Sequence, residues 1–248
     1  MLISSIVKNN IILPQDLRIP AFLSKIPFIK TNLVSIILSF VVLILYVPFC
    51  FYIILKYFEN TQTTEIIFFT GFLIGCLLEL FRFLTLSMNL WQTFSNSLIF
   101  SGKMVLFGRT LTILSFACAS LFSDTSQRQD VERNYIIMTT ASIVFAALIP
   151  MNTAKISSNG LVLEGFLKLI NIMRLILTVL VFISFYIHGI QKNNFEYKNL
   201  AFSFLILIAG YSLLVLTDSF LFLLTGTSLL LGGTYWYFKN LHKIYMWA

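Results

Sequence analysis

The sequence predicts an all-α integral membrane protein, a polytopic bundle of seven transmembrane helices joined by short loops. Three observations carry that reading. Hydrophobic residues make up 58% of the 248 residues and charged residues only 11%, whereas about a quarter of a soluble domain is charged. The mean hydropathy is +0.90. Apolar stretches such as Leu33 to Tyr57 recur along the chain, and a helix needs about 20 such residues to cross the hydrocarbon layer. A water-soluble fold is excluded, and lipid is the solvent.

Taken in order, residues 1–30 form an N-terminal arm in which Ile, Leu and Phe mix with Lys8, Arg18, Lys25 and Lys30. That mixture suits the headgroup region, and a disordered tail explains it equally. Pro14, Pro20 and Pro27 interrupt it, so no continuous apolar core for a cleavable signal peptide is visible, and the first span is expected to act as the insertion signal. Spans are expected at 31–57, 66–88, 98–122, 135–151, 166–189, 200–216 and 219–238. Pro48 is expected to bend the first. Polar breaks at 59–65, 89–97, 123–134, 152–160 and 191–199 separate them, while little more than Thr217 and Asp218 divides the sixth from the seventh. Residues 239–248 read as a short tail, and Tyr235, Trp236 and Tyr237 before it as an interfacial aromatic belt. No loop reaches the ~50 residues that a soluble domain needs, so whatever the spans and loops do is done at the membrane.

The 17 Lys and Arg exceed the 10 Asp and Glu, giving +7. In a membrane protein such an excess gathers at span ends to meet anionic headgroups and set topology, so a nucleic-acid partner is not expected. Lys56, Arg128, Arg133, Lys192, Lys198, Lys239 and Lys243 place the C-terminus in the cytoplasm, although the basic N-terminal arm pulls the other way. The abundance of Phe, Ile, Asn and Lys points to an AT-rich bacterial genome and hence to a bacterial cytoplasmic membrane. In outline, the chain is similar to the seven-helix membrane sensor modules that precede bacterial signalling domains, a likeness of architecture alone.

The charges inside the spans are the functional clue. Glu79 and Arg82 fall late in the second span, Lys103 and Arg109 early in the third, Lys168 and Arg174 early in the fifth. Alternating spans bring these positions to one level. On the second span Gly71, Gly75, Glu79 and Arg82 share a stripe, and the two glycines invite close helix approach. Gly108, Thr112, Ser115 and Ala119 make a small-residue stripe on the third, with Arg109 beside it and too deep to snorkel. Glu79 therefore has Arg82 or Arg109 as its expected partner, because an unpaired carboxylate at that depth is costly. Lys168, Asn171 and Arg174 form a basic stripe on the fifth span. Glu79, Arg82, Arg109 and Arg174 are the expected buried cluster or anion site, with Lys103, Lys168, Asn171 and Asp218 at its edge, since Arg geometry suits a lipid phosphate or small anion.

Catalytic patterns are not found. There is no HExxH, P-loop or dinucleotide-binding glycine pattern, Thr225 to Ser228 lacks a histidine partner, and Cys50, Cys76 and Cys118 sit in spans as packing groups. No cofactor or metal is expected. The sequence reading favours a non-enzymatic sensor, accessory or assembly component acting through a membrane-protein partner or as a homo-oligomer. Its alternative is a small transporter or lipid-handling protein with an anion site built from arginines. The two differ in whether a cavity reaches Arg109 and Arg174.

Overall fold

A computed structural model describes residues 33–58, 63–87, 95–122, 131–156, 160–217 and 219–246. The expected N-terminal arm and Asp218 lie outside the described residues. Ten elements follow one another: helix α1 (Leu33–Phe58), α2 (Thr64–Leu78), α3 (Phe81–Ser87), α4 (Ser95–Leu121), α5 (Val131–Leu148), strands β1 (Met151–Ile156) and β2 (Val162–Glu164), then α6 (Leu167–Gln191), α7 (Phe195–Val215) and α8 (Phe220–Met246).

The protein is an all-helical membrane bundle. Among the described residues, five stretches are long and apolar enough to cross a bilayer: Val34–Phe58, Thr64–Leu86, Asn96–Leu121, Leu167–Gln191 and Phe195–Val215. Seven were expected, and the other two helices fall short for visible reasons. α5 has 18 residues, of which the first turn takes in Glu132, Arg133 and Asn134. α8 has 27, but Thr225 to Ser228 and Gly232 to Thr234 dilute its apolar content.

Three boundaries differ from the sequence reading. The expected second span is two helices, broken at Glu79–Leu80, where Leu80 and Arg82 donate to carbonyls only three residues back, at 3.0 and 3.1 Å. The polar stretch after α5 is an antiparallel hairpin rather than an irregular loop, pairing Met151 with Glu164 and Asn152 with Leu163. Gly160 turns it at φ 76, and a Cβ there would lie 3.1 Å from the Arg82 carbonyl oxygen, so glycine alone fits both the backbone and the approach. The expected C-terminal tail is mostly helix, because α8 runs on to Met246. Between α6 and α7, Asn193 takes the left-handed conformation at φ 47 and Asn194 caps α7 by accepting from Glu196 N at 2.9 Å, which closes a tight turn.

α4 is the central helix. Its apolar window is 67% buried against 17% for α6, which therefore lies at the rim and faces lipid along most of its surface. α4 packs on α2, α3, α5, α6 and both strands, while α7 packs on α6 and α8. The small-residue stripes of α2 and α4 meet: a Cβ on Gly75 would lie 2.7 Å from the Gly108 carbonyl oxygen, and one on Gly71 3.2 Å from Ser115 Oγ. Helices joined this closely gain backbone-level packing in the absence of a water-driven force.

The core between α2, α4, α7 and α8 is aromatic. Ring centroids lie 4.9 Å apart for Phe116 and Phe204, 5.1 Å for Phe72 and Phe116, and 5.5 Å for Phe69 and Tyr237. The expected aromatic belt is thereby split, since Tyr237 is 0% exposed and Tyr235 is 68% exposed. Residues two apart point to nearly opposite sides of a helix. The Tyr237 hydroxyl has no hydrogen-bond partner among the described residues. Removing a buried, unsatisfied hydroxyl removes its desolvation penalty, so Tyr237→Phe is expected to leave stability unchanged or raise it by about 1 kcal/mol. Thermal unfolding of the detergent-solubilised protein measures this, and a clear loss would reveal a partner for the hydroxyl.

Candidate functional site

Glu79 is the centre of the site, and the helix break puts it there. As the first residue beyond α2 it has no exposed surface. Three side chains converge on its carboxylate. Arg109 of α4 donates through Nε to Oε1 at 2.7 Å and through Nη2 to Oε2 at 3.4 Å. Arg82 Nε, one turn further along the chain, lies 2.8 Å from Oε2. The Tyr211 hydroxyl of α7 donates to Oε1 at 3.1 Å. Such multiple pairing is what makes a charge tolerable at this depth.

Arg82 also ties the group to other elements. Its Nη1 donates to the Val215 carbonyl at 2.7 Å, satisfying an otherwise open end of α7, and its guanidinium lies 5.1 Å from the centroid of Phe40 on α1. One arginine thus joins α1, α3 and α7.

The second half of the cluster comes from the hairpin. Glu164, last residue of β2, is 5% exposed and accepts from Arg174 Nη2 of α6 at 2.8 Å. The same oxygen lies 4.0 Å from Arg109 Nη1, which links the two halves. Arg174 Nε and Glu164 Oε2 are buried without hydrogen-bond partners among the described residues. The three arginines and two glutamates of this group leave one positive charge over.

A cavity of about 300 Å³ opens beside that excess. Its polar wall includes Arg109, Thr112, Asn171, Arg174, Tyr211 and Ser212, and its apolar wall Leu161, Leu167, Leu175, Ile208, Val215 and Leu216. α4, α6, α7 and the approach to β2 therefore share it. The combination of oriented guanidinium groups with an aliphatic wall is chemically suited to an anion that carries an apolar portion.

Of the residues singled out in the sequence, Glu79, Arg82, Arg109 and Arg174 gather in one cluster, and Asn171 lines the cavity. Lys103 lies apart, donating to the Ala147 carbonyl at 2.9 Å, and Lys168 is exposed on α6. Two members were missed as site residues. Glu164 lies just before the expected fifth span, 166–189, where it reads as an acid near the basic residues without being placed in the cluster. Tyr211 is an isolated tyrosine inside an apolar run, with no spacing that marks it. No protein-family model matches the chain, and no curated protein matches it in sequence.

Proposed function

We propose that this chain is a non-enzymatic, multi-pass protein of a bacterial cytoplasmic membrane that binds an anionic group, of a lipid or of a small solute, in the cavity beside Arg109 and Arg174. The observation that carries the reading is the cavity itself. A module working only through partner contacts can pack its arginines shut, whereas here a cavity is lined by Arg109 and Arg174. The positive charge left over by the cluster supplies attraction, and the aliphatic wall favours a ligand with a hydrocarbon portion, which places lipid handling ahead of solute transport. With α5 and α8 as further spans and the C-terminus cytoplasmic, the cavity lies in the outer half of the bilayer.

Native mass spectrometry of the detergent-purified protein tests this with two probes, dodecyl phosphate and inorganic phosphate. Dodecyl phosphate is expected to bind, and Arg174→Gln to weaken it by about tenfold or more, the loss of one hydrogen bond to a charged group. Binding of inorganic phosphate with equal strength would assign the site to a solute. Failure of both probes to bind, or binding that Arg174→Gln leaves untouched, rules the anion site out.

A further inference from the structure

A second buried carboxylate lies on α2, at the end opposite Glu79. Glu65 stands in the first turn and is 0% exposed. The intervening helix places it about 21 Å from Glu79 at 1.5 Å per residue, well outside the arginine cluster. Among the described residues it enters no ion pair with a lysine or arginine.

Among the described residues, the groups that face it are almost all neutral hydroxyls. From its own helix, Thr64 Oγ1 lies 3.2 Å from Oε2 and also reaches the Phe122 carbonyl, at the end of α4, at 3.1 Å. From α8 come Tyr245, at hydrogen-bond distance, and Tyr237 behind it; Tyr197 of α7 stands beside both tyrosines. Lys192, in the turn before α7, is a cationic group acting on it among the described residues, but it is solvent-exposed, with Nζ 4.9 Å from the centroid of Tyr197.

Two physical effects oppose each other at this carboxyl. A first-turn position favours negative charge through the helix dipole, and exposed Lys192 adds a weaker, screened attraction. Removal of a carboxylate from water with no close counter-charge among the described residues costs considerably more than either supplies. Donors at hydrogen-bond distance, Tyr245 and Thr64, also favour charge, yet the two Tyr245 contacts are crowded for a single donor. Its hydroxyl oxygen is 2.7 Å from Oε1 and 2.6 Å from Oε2. A phenol has a single hydrogen to donate, so one hydrogen must serve two short contacts unless the carboxyl brings another.

We propose that Glu65 is a proton-binding site. Its carboxyl carries a proton at neutral pH and closes a ring of two hydrogen bonds with Tyr245, the phenol donating to one carboxyl oxygen and the carboxyl donating back to the phenol. The proton exchanges with water when the last turn of α8 frays, since Tyr245 lies next to the end of that helix.

Infrared difference spectroscopy of the purified full chain tests the assignment. A protonated-carboxyl carbonyl band is expected at neutral pH, absent in Glu65→Gln and moved to higher frequency in Tyr245→Phe, which loses the phenol. Should Glu65→Gln fail to fold, the shift in Tyr245→Phe alone assigns the band. Arg174→Gln is expected to leave it in place, so this site and the anion cavity stand or fall separately. A spectrum without a protonated-carboxyl band at neutral pH, or a band that neither Glu65→Gln nor Tyr245→Phe alters, overturns the proposal.

Discussion

Replacing Glu79 with leucine is expected to cost about 3–5 kcal/mol of stability, because it leaves two buried arginines without their shared counter-charge. Glu79 has no exposed surface, and Arg82 and Arg109 are 1% and 6% exposed, so little water is at hand to replace the carboxylate. Tyr211 loses its acceptor in the same step. Arg109→Met leaves Glu79 with Arg82 and Tyr211 and is expected to cost less than Glu79→Leu. The double variant should then be more stable than the two single losses added together predict, by about 0.5–3 kcal/mol, as neighbours in one network behave. Chemical unfolding of the four proteins in detergent measures the cycle. Strict additivity would mean that the 2.7 Å contact between Arg109 and Glu79 carries no net energy.

The second large effect belongs to the α7–α8 contact. A Cβ on Gly210 would lie 2.8 Å from both the Leu229 carbonyl carbon and Leu230 Cα, and one on Gly233 2.7 Å from Leu207 N. Backbone atoms cannot rotate away as a side-chain end does. Gly210→Val therefore has to push the two helices apart, and a loss of about 1–3 kcal/mol or more is expected. Gly232 is the control, since nothing lies within 4 Å of its Cβ position. Gly232→Ala should be neutral or stabilising by about 0.4–1 kcal/mol, through reduced freedom of the unfolded chain. Melting temperatures of the two variants in one detergent give the contrast, and equal shifts would contradict the packing described.

Most of the fold was legible because a membrane helix is a composition as well as a pattern. α1, α4, α6 and α7 are dense apolar runs, and their positions follow from that density within a few residues. The break at Glu79 was not legible, since Leu80 and Phe81 continue the apolar run and hydropathy does not register which backbone bonds are i to i+3. The hairpin was hidden for a related reason. Met151 to Ile156 is short and partly polar, and its strand character comes from docking on α4 rather than from any alternation strong enough to read alone.

The site was legible as far as depth could show it. Charges deep within apolar runs need partners, which was enough to set Glu79 against Arg109. Asp218 lies outside the described residues. Glu164 needed the fold, because it lies next to the start of α6 in sequence, and only the hairpin carries it inward to Arg109 and Arg174. Glu65 falls in sequence within the polar break expected at 59–65. It becomes a buried group only because α8 extends far enough to lay Tyr245 over it.

The hairpin has a consequence for biogenesis. Inserting an unpaired charged side chain at the centre of a helix costs about 2.5–3.5 kcal/mol at the translocon, and chains emerge from the ribosome N-terminal end first. Glu79 and Arg82 lie three residues apart and enter as a matched pair, and Arg109 brings one further positive charge to the same carboxylate when α4 joins α2. Glu164 and Arg174 lie ten residues apart across the entry to α6 and enter as a second, self-contained pair. The one cross-link between the groups, Arg109 to Glu164 at 4.0 Å, is the longest of the four ion pairs among the described residues. Two matched pairs can thus be delivered to the bilayer in the order of synthesis, with Arg109 as the one charge in excess and docking of the hairpin left as a final assembly step.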